Sequence, residues 1–282
     1  MRLKAVIAGV VMLMSGAAWS DSAGQRVVSA DGSLTETLYA LGAGDLLVAV
    51  DTTSNYPPAT EDLPRVGYLR ALPFEGILAM APDVLITSTE AAPEKTLTRL
   101  DQAGVEVVRL PRPKTPGQVL ERTLEVGRIV GHEAEAERLV AAMDTRIRRV
   151  LESGSFAGHK VLFLMAAGSH GVMIAGRETA ADDLLQILGA DNAAPNVLGY
   201  KPANREAVLA SGADAIVVAE TAPGQFRIDD WPQLRALEAW QEGRYLVADS
   251  MMMLGFGPRL PEALEALAGV LGMESQVAGH GS

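Results

Sequence analysis

At 282 residues with a formal net charge of −11, the chain is long enough to bury two cores. It is too acidic for nucleic acid or anionic lipid to be its main partner, since both need a basic face. It contains no cysteine, which excludes disulfides, thiolate metal sites, haem attachment through Cys and cysteine nucleophiles. Arg2 and Lys4 precede an apolar run over 5–14 and the small-x-small triplet Ala18-Trp19-Ser20, the pattern of an export signal cleaved after Ser20. That run is well short of the roughly 20 residues a spanning helix needs. With no second long apolar segment, the exported chain is expected to be soluble.

Short β-type runs alternate with helical patterns from there on, the signature of βαβ units around mostly parallel sheets, so the fold class is α/β. Strands are expected at 26–29, 46–50, 84–87 and 105–110. Ser33 and Glu36 have the spacing of a capping box opening a helix that stops at Gly42. Tyr56-Pro57-Pro58 interrupts regular structure, with Tyr56 a candidate cleft wall, and helices are expected at 75–80 and 93–103. Pro111, Pro113 and Pro116 mark a boundary, each fixing φ and removing a donor. Helical patterns follow at 117–130 and 133–153; the second places Leu139, Met143, Ile147 and Val150 on one stripe and is long enough to bridge two lobes. Strands at 160–165, 172–175, 215–218 and 245–248 alternate with helices at 179–188, 205–210 and 261–271.

The chain also repeats itself. At one constant offset Glu75 and Glu206, Leu78 and Leu209, Ala79 and Ala210, and Asp83 and Asp214 are identical, and each copy runs into an apolar stretch. Two related lobes follow, with a cleft between them. The expected division is a signal segment 1–20, a first lobe 21–131, a connecting helix 132–153 and a second lobe 154–282.

Upstream of the first copy, Gly67-Tyr68-Leu69-Arg70 lies between elements, where an exposed phenol can reach a ligand. A phenolate is a hard oxygen ligand suited to ferric iron, and Tyr is one of the axial ligands that haem proteins use. Forming it near neutral pH takes the charge of a metal and of a neighbouring cation, for which Arg70 is the nearest candidate. A tyrosine capping a lobe edge beside a solvated arginine fits the same spacing. Met251-Met252-Met253 would suit a flat apolar ligand, or the core. Glu75 and Glu206 open short helices, where the helix dipole favours a carboxylate.

The pattern Gly67-Tyr68-x-Arg70 with Glu75-Gly76, then Ala175-Gly176-Arg177-x-Thr179, Gly199-Tyr200-Lys201 and Gly255-Phe256-Gly257-Pro258-Arg259 resembles the periplasmic haem-binding (solute-binding) proteins of bacterial haem ABC importers. The resemblance covers essentially the whole exported chain. It implies a two-lobed class III periplasmic binding protein fold, each lobe a mostly parallel sheet flanked by helices, joined by one long helix. It implies a periplasmic monomer, a carrier and not an enzyme, that takes haem as its transported ligand. Tyr68 would be the axial iron ligand, assisted by Arg70, with His170 a second ligand or a contact to a second haem. Arg177, Lys201 and Arg227 are the cations placed to meet propionates, and Met253 the thioether beside the ring. Glu75 and Glu206 would dock on an inner-membrane permease, with an outer-membrane haem receptor upstream. Tyr68 and Tyr200 have different neighbours, so iron is assigned to Tyr68 and Tyr200 is left outside the ligand shell.

Three rival readings have their own signals. A ferric siderophore or cobalamin suits the same architecture, although both arrive with their coordination filled. A bare divalent metal would gather several His and carboxylate ligands, and only His170 is near the inferred cleft. A serine hydrolase is suggested by Ala167-Gly168-Ser169-His170-Gly171, but the nucleophile elbow needs another glycine in place of Ala167 and a helix after the serine.

Overall fold

The computed structural model describes residues 24–154, 156–168 and 171–278. The expected signal segment and the pair Ser169 and His170 lie outside them.

The first lobe runs β1 (Val27–Ala30), α1 (Gly32–Ala40), β2 (Leu47–Val50), α2 (Phe74–Leu78), β3 (Val84–Ser88), α3 (Glu94–Gln102) and β4 (Glu106–Leu110). Its strands form one parallel sheet in the order β2-β1-β3-β4. Both faces are covered: Val27, Val84 and Ile86 pack with Leu34 and Leu38 on one, Val28, Ala49 and Leu85 with Ile77, Leu97 and Leu100 on the other. Burial on both faces is why these strands read as continuous apolar runs.

Then come α4 (Pro116–Val130) and α5 (Glu133–Glu152). Thr115 caps α4 by accepting from Gln118 N–H, Pro116 opens it, and Gly131 ends it in the left-handed conformation at φ 71°. On α5, Ala136, Met143, Ile147 and Val150 are buried. Leu139, half-buried, packs against cores of both lobes at once.

The second lobe comprises β5 (Lys160–Ala166), β6 (Val172–Ala175), α6 (Ala180–Leu188), β7 (Asp191–Asn192), β8 (Tyr200–Pro202), α7 (Arg205–Ala210), β9 (Ala215–Glu220), α8 (Pro232–Arg235), α9 (Glu238–Gln241), β10 (Tyr245–Asp249), α10 (Ser250–Leu254) and α11 (Leu260–Ala278). Its sheet has the order β10-β9-β5-β6-β8, with β7 beside β5. β10, β9, β5 and β7 pair in parallel, while β6 and β8 enter antiparallel, so this sheet is mixed.

The sequence repeat is a structural one. Asp83 accepts a hydrogen bond from Arg26 N–H at 2.8 Å, and Asp214 accepts one from Lys160 N–H at 2.8 Å. Each aspartate thus ties the segment ahead of its strand to the start of the lobe's first strand.

Candidate ligand-binding site

Tyr68 stands on a loop fixed from both sides. Gly67, at φ 100°, accepts from Thr52 N–H at 2.9 Å, and Val66 N–H donates to Val50 O. Leu69 and Leu72 are buried beneath the loop; Ala92 N–H donates to Leu69 O and Leu72 N–H to Ala92 O, at 2.9 and 2.8 Å. The backbone is anchored, yet the Tyr68 side chain is 44% exposed. The loop therefore presents an accessible phenol from a hydrogen-bonded backbone.

Arg70 is within electrostatic reach of Tyr68 and is ion-paired to Glu90, which holds its guanidinium charged. Across the cleft Arg112 reaches Asp183 of α6 at 3.0 Å. Tyr200 hydrogen-bonds Thr179 and lies in the fields of Arg112, Asp183 and Glu90. Burial, the largest influence, pushes the Tyr200 phenol above its ordinary range. Glu90 thus connects the two groups, interacting with Arg70 beside Tyr68 and with Tyr200, near Arg112 and Thr179. Tyr200 is carried by β8, an antiparallel strand that the sequence pattern does not announce.

A second group locks the lobes together. The expected capping box does not form: Asp31 caps α1 by accepting from Ser33 N–H, a carboxylate outcompeting the Ser33 hydroxyl. Glu36 instead accepts from Arg259 Nε at 2.9 Å and from its Nη2, and Arg259 also donates to Asp249 at 2.7 Å. The Arg259 guanidinium lies 4.0 Å over the ring of Tyr56. Buried Arg122 donates to Ser33 Oγ at 2.9 Å and Phe256 O at 2.7 Å, while a Cβ on Gly257 would come 3.1 Å from Ser33 Cβ. The Gly255-Phe256-Gly257-Pro258-Arg259 segment is thus a clasp between lobes. Tyr56 belongs to it and walls a hollow shared with Met143 and Arg146 of α5.

The other expected site residues are dispersed. Met253 is a correction: it is fully buried in the second core, on the inward face of α10, and presents nothing to a cleft. Arg177 is exposed and lines a polar groove with Lys160 and Asp191 at the first end of β5. Lys201 is exposed on β8 beside Tyr200, and strand alternation turns it to the opposite face. Arg227 is exposed on the loop after β9, which returns past the β5 turn, where Gln225 would meet a Cβ on Gly168 at 3.5 Å. Loops at strand C-terminal ends are where open α/β sheets meet ligands. Glu75 and Glu206 are both exposed, in the first turns of α2 and α7.

Two α/β lobes, each a sheet flanked by helices, with a long helix leading from the first to the second, define a class III periplasmic binding protein. The chain belongs to the periplasmic binding protein family, whose model matches residues 27–251. Its structure resembles the apo periplasmic heme-binding protein RhuT of Roseiflexus sp. RS-1, with TM-score 0.78, 31% identity and coverage of 88% of this chain and 97% of that one. It also resembles a periplasmic heme-binding protein from Pseudomonas aeruginosa, with TM-score 0.75, 36% identity and coverage of 88% and 92%. In sequence it is 26% identical to the ABC transporter substrate-binding lipoprotein YvrC of Bacillus subtilis over 86% of this chain and 79% of the relative. A vitamin B12-binding protein of Pectobacterium carotovorum is 26% identical over 69% and 71%. The chain is a substrate-binding protein of ABC importers, and members of its family are solute-binding transport proteins. Among the described residues no helix is long and apolar enough to cross a membrane.

Proposed function

We propose that this chain is exported, loses residues 1–20, captures haem between the lobes 21–131 and 154–282, and delivers it to an inner-membrane ABC importer. The observation that carries this reading is the anchored, accessible phenol of Tyr68 beside Arg70. Haemin offers open axial positions on ferric iron, for which a phenolate is a matched ligand. Arg70, and Arg227 at the mouth of the second lobe, are the cations best placed for propionates. Heme-binding structures at 31% and 36% identity support the same reading.

The vitamin B12-binding relatives favour a second reading, a corrin in the same cleft. Cobalamin arrives with its metal coordinated and gains nothing from a phenolate, so Tyr68 weighs for haem. Absorbance titration of the exported protein with haemin, and separately with cyanocobalamin, decides between them. Haemin is expected to bind with a high-spin ferric phenolate spectrum that Tyr68→Phe abolishes. An unchanged spectrum and affinity in Tyr68→Phe would remove the iron assignment, and preferential cyanocobalamin binding would replace the ligand.

Delivery is assigned to Glu75 and Glu206, one exposed carboxylate on each lobe, as docking points for cationic pockets on the permease. Reversing both charges is expected to abolish transport while leaving haemin binding intact.

A further inference from the structure

The repeat that relates α2 to α7 extends beyond their glutamates. Over five successive positions the two segments have the same exposure: Glu75 and Glu206 exposed, Gly76 and Ala207 half-buried, Ile77 and Val208 buried, Leu78 and Leu209 exposed, Ala79 and Ala210 exposed. Ile77 and Val208 explain themselves, since each anchors its helix on a core. Leu78 and Leu209 do not: they are 38% and 42% exposed, among the large apolar side chains left at the surface.

A single exposed leucine is ordinary surface. Two at equivalent positions, each one helical turn from an equivalent exposed carboxylate, form the same small surface displayed twice. Residues three apart share a helix face, so Glu75 with Leu78, and Glu206 with Leu209, can be met by one contact. The nearest cation to Glu75 is Arg99 at 3.5 Å, and both partners are solvated, so that carboxylate remains available. A surface displayed twice by pseudo-symmetric lobes fits a partner with two like halves, each offering a cation beside a shallow apolar recess.

We infer that Leu78 and Leu209, with Ala79 and Ala210 beside them, are the apolar anchors of the permease-docking face. The partner is the membrane permease of the importer, seating one leucine in each of its two halves. The inference rests on the reading of Glu75 and Glu206 as docking points. The carboxylates steer and orient the encounter, and the leucines, desolvated on contact, slow its dissociation.

The test measures binding of the exported protein to its importer in nanodiscs, without and with haemin, for four proteins: the parent, Leu78→Gln with Leu209→Gln, Glu75→Arg with Glu206→Arg, and Leu151→Gln. Leu151 is exposed to the same degree, at 42%, but sits at the end of α5. The leucine pair is expected to weaken binding about tenfold or more, chiefly by faster dissociation, with thermal stability and haemin titration unchanged. Leu151→Gln is expected to match the parent. If the glutamate reversal abolishes binding while the leucine pair matches the parent, the leucine anchors are refuted and docking through glutamates stands. If neither pair affects binding, the docking face lies elsewhere and both ideas fall.

Discussion

Glu36 accepts two hydrogen bonds from Arg259 although 223 residues separate them in the chain. Glu36 is almost wholly buried, and burial pushes its carboxyl above the usual range even though Arg259 pulls it down. Removing Arg259 would strand that carboxylate between the lobes. Arg259→Met is expected to destabilise the protein by about 3 kcal/mol near neutral pH, and adding Glu36→Gln to recover most of the loss. The defect should shrink on acidification, because the stranded carboxyl binds a proton more tightly in the fold than in the unfolded chain. Urea unfolding of the two variants at pH 5 and pH 8 reads both effects.

Asp51, directly after β2, is fully buried, and its carboxyl is pushed up to about 6 by burial, against hydrogen bonds from Ser54 and Thr53. A raised native value means the proton is held more tightly in the fold. The stabilisation from this group is complete below the unfolded value near 4 and lost as pH rises through about 6. Relative to Asp51→Asn, the parent should lose about 2 kcal/mol of stability between pH 4 and pH 7. A constant difference across that window would contradict this environment for Asp51.

Gly176 closes the turn after β6 against the 197–199 strap, donating its N–H to Gly199 O at 3.0 Å. A Cβ there would lie 2.1 Å from Val197 O, a backbone atom that cannot step aside alone. Gly176→Ala is expected to destabilise the second lobe by about 2 kcal/mol or more. Gly117→Ala, with nothing within 4 Å of its added Cβ, should be close to neutral, and thermal melts compare them.

Glu90 occupies the guanidinium of Arg70 beside Tyr68. If the transported ligand brings carboxylates, Glu90 competes with them for that cation. Glu90→Gln is expected to raise haemin affinity several-fold at low salt, with the gain shrinking as salt screens it. Tighter binding that persists unchanged at high salt would point away from electrostatic competition.

The sheets were legible because buried parallel strands advertise themselves as apolar runs between turn residues, and the repeat exposed the pairing of lobes. Local pattern failed where distant partners decided the outcome. Ser33 and Glu36 have capping-box spacing, but nothing local reveals that Asp31 takes the cap and Arg259 takes the glutamate. Three consecutive methionines cannot say which of them a short helix turns inward, and it is Met253. The directions of Arg177 and Lys201 were hidden for a topological reason: β6 and β8 run antiparallel, so the residues on and after them leave the sheet in directions a purely parallel pattern would not give. The chain neighbours of Tyr200 say nothing of its electrostatic link to Arg112 and Glu90, which are on the other lobe.

Leu139 packs against the interior of each lobe, and Arg122 and Arg259 bind the lobes to each other as well. Neither half can melt without stripping contacts from the other. A chain assembled from two copies of one pattern is therefore expected to unfold as a single cooperative unit, with one calorimetric peak whose measured and van't Hoff enthalpies agree. Duplication doubled the architecture, but the interface merged its thermodynamics into one transition.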